Sequence, residues 1–375
     1  MLAKTPPLGW NSWNTFGHQI SADVVRETAD AFVETGLKDA GYEYIVIDDL
    51  WEADGRKNGR LTWDTEKFPD GIPLLAEYVH SKGLKFGIYS CAGSHTCEGK
   101  PASYGYEEVD AMTFAEWGVD FLKYDFCYMP PGVDGPMLYR RMGQALRAAG
   151  RPIVFSVCEW GTNKPWEWGA SAGSHMWRTT GDIFDSWESI IEIGFRKQAG
   201  LEAYAGPGRW NDPDMLVVGM YGKGNVARGG CTDAEYRSHF ALWCLLAAPL
   251  MIGCDVRNMN ETTRQILLNR ELLAVNQDKL GRQGYRVGQT YHEQEPTEVW
   301  AKPLADGSLA VGLFNLGERN PCIVTVAWES LGLHDRRPCL VRNLWTGDDM
   351  GVQTREFSAS IATHDALVLR LIPQY

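Results

Sequence analysis

The chain has 375 residues, of which 44% are apolar, and a formal net charge of −12. That length suffices for one large domain and one small domain. The acidic balance argues against nucleic-acid binding, because no basic stripe could match the phosphates. No window approaches about eighteen uninterrupted apolar residues, so we expect no membrane span. Residues 1–7 lack the apolar core of a signal peptide, so we expect a cytoplasmic protein, with secretion after removal of a leader as the alternative.

Two residue types are informative by their number. The 15 tryptophans suit either stacking on the C–H faces of sugars or filling a large core, and both interpretations stay open. The nine cysteines form no Cys-x-x-Cys pair and no histidine cluster accompanies them, which argues against a zinc site. Cys244 and Cys254 lie in apolar runs and are predicted to be buried thiols.

Strand-like and helix-like runs alternate from residue 8 to about residue 280. Strands are predicted to begin near Leu8, Glu43, Leu84, Val119, Ile153, His175, Arg209 and Leu250. Helices are predicted at 25–40, Ile72–Ser81, Met137–Ala148, Trp187–Gln198, Asp233–Leu246 and Glu261–Leu268. Eight strands alternating with helices over roughly 250 residues predict an α/β protein with a (β/α)₈ TIM barrel. The rival is a doubly wound open sheet, which would hold its ligand at one switch point.

The pattern changes after residue 281, where short β-runs are separated by turn signals such as Asp306-Gly307. These runs are Val299–Lys302, Leu309–Phe314, Ile323–Val326, Cys339–Leu344 and Ala366–Leu371. We therefore predict a barrel domain over residues 1–281 and a small antiparallel β-sandwich over residues 282–375.

Polar side chains follow nearly every predicted barrel strand. The segment Phe121–Cys127 is the clearest case, because Lys123 and Asp125 lie two residues apart and project to the same side of a strand. The residues at strand ends are Trp13, Asp48, Asp49, Tyr89, Lys123, Asp125, Glu159, Trp160, Arg178, Asp182, Asp212 and Asp214. Since the C-terminal ends of barrel strands converge on one face, we predict a functional site there.

Carboxylates at such a face either hold Mg²⁺ or perform glycosidic chemistry. The magnesium alternative would use Asp48, Asp49, Asp125, Asp212 and Asp214 as oxygen ligands. Lys123 favours glycosidic chemistry, because a cation beside Asp125 lowers its pKa and keeps a nucleophile ionised. A third alternative is an inactive sugar-binding module. Asp185 and Asp233 stand at the starts of predicted helices and are interpreted as capping or solvated loop residues.

At these residues the chain resembles the α-galactosidase family, glycoside hydrolase family 27, which also contains α-N-acetylgalactosaminidases and β-L-arabinopyranosidases. The matching segments are Pro7–Trp13, Tyr44–Asp49, His80–Tyr89, Lys123–Cys127, Ala205–Leu216, Ala247–Leu250 and Asn276–Gly281. The resemblance covers the whole barrel in order, whereas the C-terminal domain matches mainly by position and β-pattern.

The resemblance implies a retaining exo-glycosidase without a cofactor or metal. Asp125 matches the family's nucleophile and Asp182 its general acid/base, and such pairs stand roughly 5–5.5 Å apart. The two carboxyls must differ in pKa. We expect Lys123 to keep Asp125 ionised, and we expect Asp182 to hold its proton in the free enzyme.

The resemblance also implies the contacts with the sugar. Asp48 and Asp49 match residues that bind the 6- and 4-hydroxyls, Lys123 one that binds the 3- and 4-hydroxyls, and Arg178 a 2-hydroxyl contact. The remaining expected substrate-binding residues are the pocket walls Trp13 and Tyr89, the pocket edge Asp214 and Met215, and Cys158, Glu159 and Trp160.

Specificity within the family is predicted from two places. Cys158, Glu159 and Trp160 resemble the galactosidase branch, where bulky groups crowd C2 and exclude an acetamido group. Asp48 resembles the residue that galactose-specific members of the family have at this position, whereas arabinopyranosidases have a different residue there. We therefore predict an α-galactosidase acting on a galactosylated oligosaccharide or glycoconjugate, with the two other activities of the family as alternatives.

Departures from the family concern the cysteines. His18 and Leu50 occupy the positions of a disulfide that many relatives have. This leaves Cys97 and Cys127 as the expected bridge, with two thiols in a reducing cell as the alternative. The isolated glycosylation sequon at Asn260 is weak evidence for secretion, and a cytoplasmic location stays the expectation. Assembly into a homo-oligomer is left open.

Overall fold

Eight parallel strands form the first sheet of the computed structural model, which describes residues 1–292 and 295–374. The strands are β1 Leu8–Asn11, β2 Tyr44–Val46, β3 Lys85–Cys91, β4 Phe121–Asp125, β5 Val154–Val157, β6 Met176–Arg178, β7 Trp210–Asp212 and β8 Leu250–Ile252. Each begins within two residues of its predicted start. Glu293, Gln294 and Tyr375, which fall in the predicted second domain, lie outside the described residues.

The order of the strands identifies a closed barrel. Strands β1 to β7 follow one another across the sheet and β8 lies beside β1, whereas a doubly wound sheet would reverse its order at a switch point. Leu216 closes the ring between β7 and β8 by donating its N–H to the carbonyl oxygen of Met251 at 2.8 Å and accepting from Gly253 N–H at 2.9 Å. The predicted (β/α)₈ architecture is confirmed.

The helices pack around this barrel. They are α1 Trp13–Phe16, α2 Ala22–Glu34, α3 Ile72–Ser81, α4 Glu107–Glu116, α5 Gly135–Ala148, α6 Pro165–Trp168, α7 Trp187–Ile190, α8 Asp233–Leu245, α9 Glu261–Leu267 and α10 Arg270–Asn276. The sequence pattern did not predict α1, α4, α6 or α10, and α7 continues as a π-helical turn over Ile191–Arg196.

Helix α2 shows how a sequence pattern produces one of these helices. The Ser21 hydroxyl caps its N-terminus by accepting Val24 N–H, and Val25 and Phe32 are buried on one face. The prediction that this helix reaches residue 40 is wrong. It ends at Glu34 because Gly36 adopts a φ of 85°, a conformation that favours glycine and breaks the helical path.

The C-terminal domain consists of two packed antiparallel sheets. The larger has the order β14-β13-β16-β11-β10-β9 and the smaller pairs β12 with β15. Their strands are β9 Tyr285–His292, β10 Glu295–Pro303, β11 Leu309–Asn315, β12 Cys322–Ala327, β13 Cys339–Asn343, β14 Asp349–Gln353, β15 Glu356–Ile361 and β16 Ala366–Pro373. The predicted sandwich is confirmed, although β9, β14 and β15 were not expected. The boundary between residues 281 and 282 stays a prediction.

Helix α8 joins the two domains. Arg237 on this helix donates two hydrogen bonds to Asp365, at 2.9 and 2.6 Å, and Phe195 packs edge-on against Phe314 at 5.0 Å between ring centres. A bidentate ion pair beside aromatic packing fixes the orientation of the two domains. Within residues 1–292 and 295–374, no helix combines the length and apolar character needed to cross a membrane.

Candidate active site

A cavity opens where the C-terminal ends of the barrel strands converge. Its lining residues are Trp13, Asn14, Asp48, Asp49, Tyr89, Cys97, Lys123, Asp125, Trp160, Arg178, Asp182, Asp214, Met215 and Val226. Both predicted catalytic carboxylates and nine of the predicted substrate-binding residues therefore lie around one space.

Asp48 and Lys123 form the charged floor of the cavity. One Asp48 oxygen accepts from Lys123 Nζ at 2.8 Å and from Asn11 Nδ2 at 2.6 Å. Burial alone would lower the pKa of Lys123, but the carboxylate of Asp48 raises it well above its ordinary value, so the ammonium stays charged. The ammonium also lies 5.3 Å from the centre of the Tyr89 ring. These contacts fix a cation where sugar hydroxyls can accept from it.

Asp49 is held by the backbone on both oxygens. It accepts Leu50 N–H at 2.7 Å and Glu98 N–H at 2.9 Å, and burial raises its pKa. Glu98 also lies 3.3 Å from His18, one of the two positions at which the family disulfide is missing. The loop that follows β3 is thereby connected to the first loop of the barrel without that bridge.

Asp125, the last residue of β4, is 5% exposed and accepts Phe126 N–H at 2.9 Å. The Tyr139 hydroxyl holds its backbone by donating to the Asp125 carbonyl oxygen at 3.0 Å. Burial raises the pKa of Asp125 to about 6, against the opposing effect of Lys123. The side chain is therefore fixed in position but is only partly ionised at mildly acid pH.

Arg178 connects two carboxylates on the opposite side of the cavity. It contacts Asp182 at 2.9 Å and Asp214 at 3.0 Å, and donates to the Thr180 carbonyl oxygen at 3.1 Å. Burial would raise the pKa of Asp182, but Arg178 and Lys123 together outweigh it and lower the pKa. The expected order of the catalytic pair is therefore reversed in the free protein, because Arg178 faces Asp182 while Asp125 lies deeper in the barrel.

The expectation that Glu159 contacts the sugar is not supported by the geometry. Its buried carboxylate accepts Asn163 N–H at 2.8 and 3.0 Å and the Asn163 side chain at 2.8 Å, and it does not line the cavity. These bonds close the turn that holds Trp160 at a φ of 60°, which a bulky residue rarely adopts. Glu159 thus positions Trp160. Cys158 lies below it in a deeper cavity, 3.6 Å from Arg178 Nη1.

Three residues near the site were missed in the sequence. Asn11 ends β1 as the acidic residues end their strands, so the same signal would have found it. Asn14, which lines the cavity, follows one residue after the predicted Trp13. Val226 has no comparable signal, because it reaches the cavity from the long connection between β7 and α8.

The magnesium alternative finds no support in these contacts. Asp48 and Asp214, two of its five ligands, already bind Lys123 and Arg178. In the described part of the chain, the one grouping of ligand atoms close enough for a metal is Cys97, Asp125 and Cys127. Its two sulfurs are joined in a disulfide and cannot act as thiolate ligands.

The Cys97–Cys127 bridge expected from the resemblance is present, with the Cα atoms 5.1 Å apart. Replacing both cysteines with serine is expected to lower the free energy of unfolding by about 3–4 kcal/mol, because the bridge closes a loop of 30 residues. Denaturant unfolding of the wild type with and without reductant measures this loss. The serine variant, as control, should not respond to reductant, and a wild type equally stable in both conditions contradicts the prediction.

Comparison with known proteins places this site in a family. The profile of the family described as alpha galactosidase A matches residues 5–278, and that of the alpha galactosidase C-terminal beta sandwich domain matches residues 294–371. An alpha-galactosidase of Cyamopsis tetragonoloba is 48% identical over 375 residues, covering 100% of this chain and 87% of its own. This chain belongs to the α-galactosidase family, glycoside hydrolase family 27.

Further relatives agree with this membership of glycoside hydrolase family 27. Alpha-galactosidase A of Cellvibrio japonicus is 43% identical, over 100% of this chain and 93% of its own length. The crystal structure of alpha-galactosidase I from Mortierella vinacea superposes with a TM-score of 0.91 at 35% identity, covering 99% of this chain and 97% of that chain. The likeness to the family thus extends over both domains, including the C-terminal sandwich for which the sequence motifs are weakest.

Proposed function

We propose that this protein is a retaining α-galactosidase that releases terminal α-D-galactosyl residues through a covalent intermediate on Asp125. The observation that carries the proposal is the presence of Asp125 and Asp182 in one cavity with the Asp48–Lys123 pair. A sugar-binding module needs polar contacts with the sugar, but it does not need a nucleophile together with a general acid/base. Retaining glycosidases require such a pair.

In the first step an Asp125 oxygen attacks the anomeric carbon while the bond from that carbon to the leaving oxygen breaks. Asp182 donates its proton to the leaving oxygen, so the aglycone departs as a neutral alcohol. In the second step Asp182 removes a proton from water, and the water oxygen attacks the anomeric carbon and frees Asp125. Two displacements return the sugar with its original configuration.

Sugar binding is proposed to supply the pKa order that the free protein lacks. The Asp182 side chain is 57% exposed and pairs with Arg178. A galactosyl 2-hydroxyl that accepts from Arg178 takes part of this cation's interaction away from Asp182. The ring at the same time excludes water from the carboxyl. Both changes raise the pKa of Asp182 and favour the protonated form that the first step needs.

The pH dependence follows from the two carboxyls. The reactive form of the free enzyme carries one proton on the pair. Asp182, whose pKa is lowered, loses its proton first, in acid. The proton of Asp125 leaves as the pH rises through about 6, the pKa of that carboxyl. We expect kcat/KM to be greatest below about pH 6 and to fall about tenfold per pH unit above it. A profile measured from about pH 3 to about pH 9 that stays level above pH 7 contradicts this assignment.

Specificity for galactose rests on buried polar groups in this proposal. Asp48 and Asp49 are fixed by hydrogen bonds, and by the resemblance to the family they are proposed to bind the 6- and 4-hydroxyls. A site built to bond one hydroxyl rejects the epimer strongly, because its buried groups are then left unpaired. Trp160, fixed by Glu159, and the underlying Cys158 crowd the side expected for C2, which disfavours an acetamido group.

A panel of nitrophenyl glycosides tests the proposed activity. We expect the α-D-galactoside to be cleaved with the highest kcat/KM, ahead of the N-acetyl-α-D-galactosaminide and the β-L-arabinopyranoside, and activity to persist in EDTA. Faster cleavage of the N-acetyl-α-D-galactosaminide or of the β-L-arabinopyranoside would instead assign the protein to the corresponding branch of the family. Loss of activity in EDTA would restore the metal alternative. The cytoplasmic location stays a prediction from the sequence, and the oligomeric state stays open.

A further inference from the structure

We propose that the segment Gly219–Gly230, here called the rim segment, forms the leaving-group side of the cavity and that Arg228 binds the hydroxyls of a sugar leaving group there. The proposal rests on the proposed glycosidase function and adds a specificity-determining residue to it. None of the sequence motifs points to this segment, which connects β7 to α8.

The rim segment is anchored to the loop that carries Asp182. Asp185, three residues after the acid/base, is fully buried and accepts Gly222 N–H at 2.7 Å and the Tyr236 hydroxyl at 2.9 Å. Its backbone pairs with Ala227 in a parallel bridge. The interpretation of Asp185 as a cap or solvated residue is therefore wrong, because Ser186 caps α7. Asp185 instead joins the two loops into one unit.

A second anchor connects the rim segment to the first loop of the barrel. The Asn14 carbonyl oxygen accepts Asn225 N–H at 2.7 Å and Val226 N–H at 3.2 Å, and the Asn225 side chain covers Gly17. Val226 and Asn14 both line the cavity. The segment is thus fastened at the mouth of the cavity, between the loop of Trp13 and the loop of Asp182.

Arg228 lies on this rim with its guanidinium stacked on Phe184. The guanidinium carbon is 3.4 Å from the centre of the Phe184 ring, and Phe184 is two residues beyond Asp182. Arg228 follows the cavity-lining Val226 by two residues and comes directly after Ala227, which bridges to Asp185. Arg228 is exposed, and among the described residues no carboxylate pairs with it.

The chemistry of this arrangement fits a polyhydroxylated leaving group. Asp182 protonates the leaving oxygen, so the rest of the aglycone must extend past the loop that carries Asp182 and Phe184. Arginine has five N–H donors in a rigid fork, and stacking on an aromatic ring holds that fork in one orientation. Sugar hydroxyl oxygens accept such bonds, whereas a methyl leaving group offers nothing to bind.

The test compares raffinose with methyl α-D-galactoside in the full-length enzyme. In Arg228→Ala, kcat/KM for raffinose is expected to fall about tenfold or more, the loss of one hydrogen bond from a charged donor, while the methyl galactoside changes less than about twofold. Arg228→Lys keeps the charge but not the stacked fork and should lose most of the same preference. Lys223→Ala, which removes the other exposed cation of the rim segment, is the matched control and should leave both substrates unchanged.

The outcomes separate this proposal from the proposed function. A wild type that cleaves neither substrate overturns the proposed function. A wild type that cleaves both, with Arg228→Ala affecting both equally or neither, overturns the role of Arg228 and leaves the glycosidase assignment standing. An equal loss of raffinose activity in Lys223→Ala also overturns it, because the effect would then belong to the net charge of the rim and not to the stacked guanidinium.

Discussion

Replacing Asp125 with asparagine is expected to reduce kcat for α-galactosides by about 10⁴-fold or more, because the amide cannot form the glycosyl ester. The substitution keeps the size of the side chain and an oxygen for Phe126 N–H, which now donates to Asp125 at 2.9 Å. The Tyr139 hydroxyl bonds the backbone and is unaffected. Steady-state rates and thermal unfolding of the variant measure the two effects separately, and we expect the fold to be retained.

The control for this variant is Asp212→Asn. Asp212 is another buried carboxylate at a strand end, but it lines the deeper cavity and not the one around Asp125 and Asp182. Its replacement should cost at least about 100-fold less activity than that of Asp125. In the smaller Asp125→Ala variant, added azide should restore turnover and yield the β-galactosyl azide, since azide attacks from the face that Asp125 vacates. Full activity of either Asp125 variant contradicts the assignment of the nucleophile.

Replacing Asp182 with asparagine is expected to lower kcat/KM by about 10²–10⁴-fold for raffinose, whose leaving group must be protonated. A dinitrophenyl α-galactoside should lose much less, because its leaving group departs as a stable anion. The alkaline limb of the pH profile should disappear together with the proton donor. Because the Asp182 side chain is 57% exposed, we expect little effect on the free energy of unfolding.

The pair of substrates is its own control in the Asp182 experiment. Equal losses for raffinose and the dinitrophenyl galactoside would mean that Asp182 acts through binding or positioning and not through proton transfer. Azide should produce the α-galactosyl azide in this variant, because the nucleophile Asp125 is intact and the anion attacks the glycosyl ester from the other face.

The barrel and most of the cavity could be predicted from the sequence. Apolar runs ending in polar residues mark parallel strands whose ends converge, and this alone brings Lys123, Asp125 and Arg178 to one face. Tryptophan content was a weaker guide. Seven of the 15 tryptophans are almost fully buried in the core, while Trp13 and Trp160 line the cavity.

Other properties of the site depend on distances that no motif contains. Glu159 follows a strand just as Asp125 ends one. The Glu159 carboxylate nevertheless accepts a hydrogen bond from Asn163 N–H, four residues later. The reversed pKa order arises because Arg178 reaches Asp182 at 2.9 Å while Asp125 is buried below. Val226 and Arg228 come from a loop whose position is set by Asp185 and Asn14, so only the folded chain reveals them.

The central claim is that Asp125 carries a covalent galactosyl group during turnover. Its most direct test is mass spectrometry of enzyme quenched in acid while it turns over a fluorinated α-galactoside that slows the second step, followed by peptide mapping. The predicted result is a mass increase of one fluorogalactosyl residue, located on Asp125 and absent from Asp125→Asn. An enzyme that turns over this substrate without any adduct, or with the adduct on another carboxylate, would contradict the claim.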